Sequence, residues 1–200
     1  SCKKCRRSRE KLYLKGERCF TAKCEIEKRN YPPGIRSIRP AKISEYGRRL
    51  REKQKLRFFY GVSEKQMRIY FKEATRKTGV TGYNLLSLFE RRFDNVMYRA
   101  LLGRSRKEGR QLIKHNHFLI NGKRMDVPSY ILKEGDVVTV REKSKALFKE
   151  RLDTLKKTQS IPEWLVFDEK EQSIKVQQEP TRQQIDVPVE EQLIVEYYSR

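Results

Sequence analysis

The sequence predicts an α+β protein, and three observations carry that reading. Apolar residues recur at helical spacing through much of residues 44–114. Short runs rich in Val, Ile, Leu and Phe, broken by Asn-Gly and Gly-Asp, fill much of 118–176. All four cysteines of the 200-residue chain fall within its first 24 residues, a segment too short and too charged to bury a core.

The cysteines read Cys2-x2-Cys5-x13-Cys19-x4-Cys24. Two close pairs separated by about 12–20 residues match the spacing of a structural zinc site. Each pair would supply two sulfurs from a tight knuckle to a closed tetrahedron, with Zn–S near ~2.3 Å. Lys3, Lys4, Arg6, Arg7 and Lys23 crowd the site and are expected to favour thiolate. A redox pair, an iron–sulfur cluster and unligated buried thiols are the alternatives. The N-terminus shows no apolar signal segment, which suggests a reducing compartment where disulfides are not expected.

Residues 30–42, with three prolines, read as an extended basic linker, so 1–43 form a knuckle and linker. From Ser44 a helix is expected, with Tyr46, Leu50 and Phe58 facing inward and Arg48, Arg49, Arg51, Lys53, Lys55 and Arg57 facing phosphate. Ser63-x-x-Gln66 resembles a capping box, and Met67, Tyr70, Phe71 and Ala74 follow at helical spacing. A third helix opens near Thr81, so 44–89 read as a helical domain.

Phe93, Val96, Met97 and Ala100 begin the next unit, 90–150. Ser105-x-x-Glu108 caps its second helix. Arg106, Arg110 and Lys114 lie four apart on that helix, and Arg91, Arg92, Asn95 and Arg99 form a polar ridge on the first. Both ridges are expected to face outward, with Gln111 and Asn116 adding hydrogen bonds to bases or 2′-hydroxyls. On this reading Arg106→Ala or Arg110→Ala weakens RNA binding without unfolding. His115 and His117 sit near the helix end, as RNA contacts or local hydrogen bonds, and Tyr46 and Tyr98 are the aromatics expected near RNA. Asn121-Gly122 marks a hairpin, and "SYILKEGDVVTVRE" suggests two strands around Gly135-Asp136. Residues 151–186 read as a helix and a hairpin that extends the sheet. A last helix over 187–199, with Val189, Leu193, Ile194 and Tyr197 on one stripe, is expected to pack on the helical domain.

Lys and Arg number 47 against 26 Asp and Glu, giving a net charge of +21 and a pI near 10.0. The balance is +14 over 1–60, +10 over 61–150 and −3 over 151–200, which places a polyanion partner on the first three quarters of the chain. Walker A, GxSxG and HExxH patterns are absent, and the only two histidines show no nucleophile paired with them, so no enzyme is expected. No apolar run is long enough to span a membrane.

"FDNVMYRALLGRSRKEGRQLIKHNHFLINGKRMDVPSYILKEGDVVTVREKS" resembles the RNA-binding domain named after the S-four family of bacterial small-subunit ribosomal proteins. "LREKQKLRFFYGVSEKQMRIYF" and "EEQLIVEYYSR" resemble that family's N-terminal helical domain and C-terminal helix. The resemblance implies an N-terminal zinc knuckle and helical domain joined to an S-four-type domain of two helices on a small antiparallel sheet. It implies a primary 16S rRNA-binding protein of the cytoplasmic small subunit, early in 5′ domain assembly, beside ribosomal proteins S-three and S-five. It further implies a place near the mRNA entry channel, with Arg39, Lys42, Arg48 and Arg49 closest, and an influence on accuracy. Some members keep four zinc-binding cysteines, as here. With the charge pattern, the expected RNA contacts are Arg6, Arg7, Arg36, Arg39, Lys42, Tyr46, Arg48, Arg49, Arg51, Lys53, Lys55, Arg57 and Arg68 in the first part. In the second they are Arg92, Asn95, Tyr98, Arg99, Ser105, Arg106, Arg110, Gln111, Lys114, His115, His117, Asn121 and Lys123. Ile35-Arg36-Ser37 departs from the family's usual Gln-His-Gly, so contacts of that turn do not carry over. "RRFDN" in place of the usual "RLDN" swaps one apolar residue for another. A zinc-containing DNA-binding regulator, or an RNA-modifying enzyme that borrowed the domain, is the alternative reading.

Overall fold

The computed structural model describes residues 2–34, 42–156 and 160–199, which form two compact units. One comprises residues 1–85 and 187–200, the other residues 86–186. Arg36 and Arg39, and the turn expected at Ile35-Arg36-Ser37, lie outside the described residues.

The first unit begins with α1 (Cys2–Ser8), a 3-10 turn at Gly16–Phe20 and α2 (Glu25–Lys28). The first cysteine pair therefore sits on a helix, not in the tight knuckle the spacing suggested. Of this segment's apolar side chains other than cysteine, only Leu12 and Ile26 are buried among the described residues. α3 (Glu45–Tyr60) starts where Ser44 Oγ accepts the Gly47 N–H, and Gly61 ends it at φ 65°. Its buried face is Leu56, Phe59 and Tyr60, with Lys53 and Lys55 alongside. Tyr46, expected inward, is instead 56% exposed, because it precedes the part of α3 that meets the core. α4 (Glu64–Arg76) is capped by Ser63 and buries Met67, Tyr70 and Ala74.

The chain returns to this unit at its other end. Val187 and Val189 are buried, with the Val189 N–H donating to the Val187 carbonyl (2.8 Å) in a tight turn at Pro188, and α9 (Glu191–Tyr198) packs on α3. The last helix thus opens four residues later than Val187. Pro188 lacks an N–H, its carbonyl accepts from Lys55 Nζ (2.9 Å), and Glu52 takes the Glu190 N–H (3.2 Å). These bonds hold the segment against α3. Glu64 joins the three helices: it accepts from Lys53 Nζ and from the Tyr198 hydroxyl, both at 2.9 Å. Burial alone would raise the Glu64 carboxyl, but those two hydrogen bonds and the Lys53 and Arg57 charges hold it below its usual range.

Between the units in sequence runs α5 (Thr81–Glu90), which buries Leu85, Leu86 and Phe89. The second unit has α6 (Phe93–Arg99) and α7 (Arg106–Lys114) against a five-stranded antiparallel sheet. The strands are β1 (Phe118–Ile120), β2 (Lys123–Arg124), β3 (Val137–Val140), β4 (Leu165–Asp168) and β5 (Ser173–Val176), in spatial order β2-β1-β3-β5-β4. Asn121 and Gly122 both take positive φ, the geometry that a two-residue hairpin with right-handed twist requires. α8 (Lys145–Lys156) starts before residue 151 and seats Phe148, Leu152 and Leu155 in the core. That core also holds Phe93, Val96, Met97, Phe118, Val138, Ile174 and the fully buried Trp164.

One expected strand is missing among the described residues. Residues 130–134 make only an isolated bridge, Arg92 to Ile131, because β3 already has β1 and β5 as neighbours. The segment instead caps α6. The Tyr130 and Pro128 carbonyls accept the Phe93 and Asp94 N–H groups at 2.8 and 3.1 Å, donors that a helix start leaves unpaired. No described helix is long and apolar enough to cross a membrane.

Candidate nucleic-acid interface

The polar ridge expected on α6 faces inward. Asn95 and Asp94 are buried at 0% and 1% exposure, Arg92 at 3% and Tyr98 at 7%. Burying such groups is tolerable only when each finds partners, and here they form one network. Asp94 accepts from Arg92 (3.0 and 2.7 Å) and from Arg110 (2.6 and 3.2 Å). Glu90 accepts from Asn95 (2.8 Å) and from Arg99 (3.0 and 2.9 Å). Asn95 Oδ1 in turn accepts from Arg106 Nε (2.7 Å), whose guanidinium lies 4.5 Å from the Tyr98 ring centre. Gly109 allows this approach, since a Cβ there would sit 2.9 Å from the Asp94 carbonyl oxygen. Arg92, Asn95, Tyr98, Arg99 and Arg106 are therefore committed to the joint between α6 and α7. The expectation that Arg106→Ala spares the fold is corrected: Asn95 Oδ1 would lose its buried donor. Four guanidinium groups share two carboxylates, so the joint stays positive even after pairing.

The outward face of α7 lies to one side of the predicted stripe. Lys107, Gln111 and Lys114 are exposed at spacing i, i+4, i+7, with Arg104 exposed just before the N-cap and His115 just after the helix. Ser105 accepts the Glu108 N–H (3.3 Å), while Glu108 takes the Arg104 N–H (2.7 Å), which fixes the start of this face. Lys123 and Arg124 of β2 are exposed beside it. Arg124 Nε donates to Asn116 Oδ1 (2.6 Å) and Arg141 to the Asn116 carbonyl (3.1 Å), so the helix end, hairpin and β3 present their cations together. Asn121 is exposed but bonds Asp136 and the Val137 N–H, and His117 Nδ1 lies 2.8 Å from Ser144 Oγ; both shape the fold locally. Arg104, Lys107, Arg124 and Arg141 were not among the expected contacts. The helical spacing of Lys107 with Gln111 and Lys114 is readable in the sequence and could have found it.

In the first unit Arg7, Lys42, Arg48, Arg51 and Arg68 are exposed. Arg6 donates to the Tyr31 carbonyl (2.9 Å) and lies over its ring. Lys53 and Lys55 are buried against Glu64 and against Glu10 and Glu52, Arg57 pairs with Glu64, and Arg49 pairs with Glu196 (2.7 Å). The phosphate-facing helix predicted from its charge thus spends several cations holding α9 and α4.

The four cysteines come together at the start of this unit. Cys5, Cys19 and Cys24 are each 8% exposed and Cys2 is half-buried. The Lys15 N–H donates to Cys19 Sγ (3.4 Å), and a backbone group at Leu12 bonds Cys5. Burial pushes the Cys5 and Cys19 thiols up, and the neighbouring sulfurs push the same way. The expected help from basic neighbours is outweighed. Lys3, Arg7 and Lys23 point to solvent, Lys4 lies on Phe58 and Arg6 on Tyr31. Among the described residues no three Cys, His, Asp or Glu groups are closed to metal-ligand spacing. The donor chemistry fits a four-thiolate zinc site all the same: four mutually repelling sulfurs, three of them buried, with backbone N–H groups aimed at two of them.

Residues 1–90 match the family described as "Ribosomal protein S4/S9 N-terminal domain", and residues 91–138 match the "S4 domain". The chain is 52% identical over 201 residues to the small ribosomal subunit protein uS4 of Acetivibrio thermocellus, covering 100% of this chain and 97% of that protein. It is 51% identical to the protein of the same name from Pelotomaculum thermopropionicum, covering 100% and 96%, and 52% identical to that from Geobacter sulfurreducens, covering 100% and 97%.

Proposed function

The chain belongs to the uS4 family of small ribosomal subunit proteins, and from this we propose that it is a structural constituent of the small subunit that binds 16S rRNA directly. The observation that carries the proposal is the exposed row Arg104, Lys107, Gln111 and Lys114, backed by a buried joint that keeps net positive charge. Cations on a rigid helix meet phosphates, and Gln111 and His115 can reach base edges or 2′-hydroxyls. The protein acts by binding alone, without a catalytic step. It seats early on the 5′ domain and nucleates its assembly, with ribosomal proteins S-three and S-five as neighbours. Lys42 and Arg48 are exposed, and on this reading they face the mRNA entry channel and bear on accuracy.

One structural Zn²⁺ held by Cys2, Cys5, Cys19 and Cys24 belongs to the same proposal. A bound divalent cation turns coordinating thiols into thiolates outright, which reverses the effect of burial. Its chemistry there is structural, since a closed four-sulfur site leaves no open position.

Competition binding tests the rRNA assignment. A folded 16S 5′ domain fragment should outcompete duplex DNA of equal length by orders of magnitude, and log affinity should fall linearly with log salt. Equal affinity for the two would reject the proposal in favour of a DNA-binding regulator.

A further inference from the structure

The ammonium of Lys55 gathers three separate parts of the chain. Lys55 is buried, and its Nζ donates to the Pro188 carbonyl at 2.9 Å. It also pairs with Glu52 on its own helix at 2.8 Å and with Glu10 at 3.1 Å. An ammonium carries three N–H donors, so these three acceptors fill it. Glu52 doubles the link, because its other oxygen takes the Glu190 N–H at 3.2 Å. Pro188 and Glu190 lead directly into α9. Glu10, by contrast, belongs to the cysteine segment. Its N–H donates to the Cys5 carbonyl at 3.3 Å, and a backbone group at Leu12 bonds the Cys5 sulfur. A second contact lies beside the first: Lys4 sits 4.3 Å from the ring centre of Phe58, one turn along α3 from Lys55. Glu10, Glu52, Lys55 and Phe58 all line one cleft of about 520 Å³ between the cysteine segment and α3.

We infer that metal at the cysteines tightens the hold of α3 on the returning chain at 187–190, with Glu10 and Lys55 as the link. The inference rests on the zinc reading of the four cysteines. Coupling between two sites needs an element with two states that both sites bias. The cysteine segment is such an element: it buries little besides its thiols, so it is ordered with its metal and loose without it. Ordered, it sets Glu10 on the third N–H of Lys55 and keeps water off an ion pair that gains strength from low dielectric. Loose, it withdraws Glu10. That N–H then faces water in the cleft, and water competes for the bonds to Glu52 and Pro188. The path therefore runs Cys5, Glu10, Lys55, Pro188, each step a contact of 3.3 Å or less.

Amide exchange on the full chain tests this, with one Zn²⁺ bound and again after chelation. In the parent, chelation should speed exchange at 189–198 about fivefold, the low end of usual coupling between sites. Amides of 93–140 should not move and serve as the internal reference. Glu10→Ala removes a side chain that is 40% exposed and leaves Glu52 on Lys55, so the variant keeps its fold. It should still hold one zinc by elemental analysis. Its amides at 189–198 should exchange at the chelated parent's rate whether zinc is bound or not. Equal exchange at 189–198 in the loaded and the chelated parent would overturn the inference while leaving the zinc reading in place. A zinc effect of the parent's size in Glu10→Ala would also overturn it, since the coupling would then bypass Glu10. A purified reduced chain that neither carries zinc nor takes it up would remove the zinc reading, and this inference with it.

Discussion

Asp94→Ala is expected to destabilise the unit of residues 86–186 by about 3–5 kcal/mol, the usual cost of removing one partner from a buried ion pair. Asp94 is 1% exposed and accepts two guanidinium groups, one of them the 3%-exposed Arg92. Without the carboxylate, Arg92 keeps its desolvation cost and loses its counter-charge. Asp94 also sits in the first turn of α6, where a negative charge opposes the helix dipole favourably. Arg110→Ala should cost far less, because the Arg110 side chain is 37% exposed and Arg92 still neutralises Asp94. Urea unfolding followed by Trp164 fluorescence reads this directly, since that tryptophan is in the same core. Equal midpoints for Asp94→Ala and the parent would show that the network adds nothing to stability.

The second large effect is at the cysteines. Removal of Zn²⁺ by a chelator, or Cys19→Ser, is expected to unfold residues 2–34 while leaving 86–186 folded. The segment has almost nothing else to hold it: among the described residues only Leu12 and Ile26 add buried apolar side chains to the cysteines. Structural zinc supplies about 10–16 kcal/mol of apparent binding energy in small finger peptides, far more than two such side chains. Elemental analysis and amide exchange check this together. The expected result is one zinc per freshly purified reduced chain and protection over 2–34 that chelation abolishes. Protein without zinc but with the same protection would remove the metal from the account.

Much of the fold was legible because local chemistry agreed with it. Ser63 and Ser105 announce helix starts by side chains that accept the N–H three residues on, and both caps form. Asn121-Gly122 names its own turn, and Asn121 takes a φ of 49° there. What the sequence could not carry was direction. Arg92, Asn95, Arg99 and Arg106 look like a solvent-facing ridge, and only the approach of α6 to α7 reveals Glu90 and Asp94 as their partners. The same blindness placed Lys53 and Lys55 on phosphate, although their acceptors come from Glu10, Glu64 and the chain at Pro188. Residues 130–134 read as a strand by composition, but a strand needs a free edge, and β3 offers none. The exposed cations of α7 thus lie one position away from the stripe that charge alone suggested.

On the proposed function, rRNA is held by the exposed row of Arg104 and the α7 residues Lys107, Gln111 and Lys114, rather than by the buried arginines. Arg104→Ala, Lys107→Ala and Lys114→Ala combined in one chain test it most directly, through the salt dependence of binding to the 16S 5′ domain fragment. Expected is a folded variant whose log–log slope is shallower by about 0.9 for each phosphate no longer neutralised, as on a duplex. A folded triple variant with the parent's slope and affinity would contradict it.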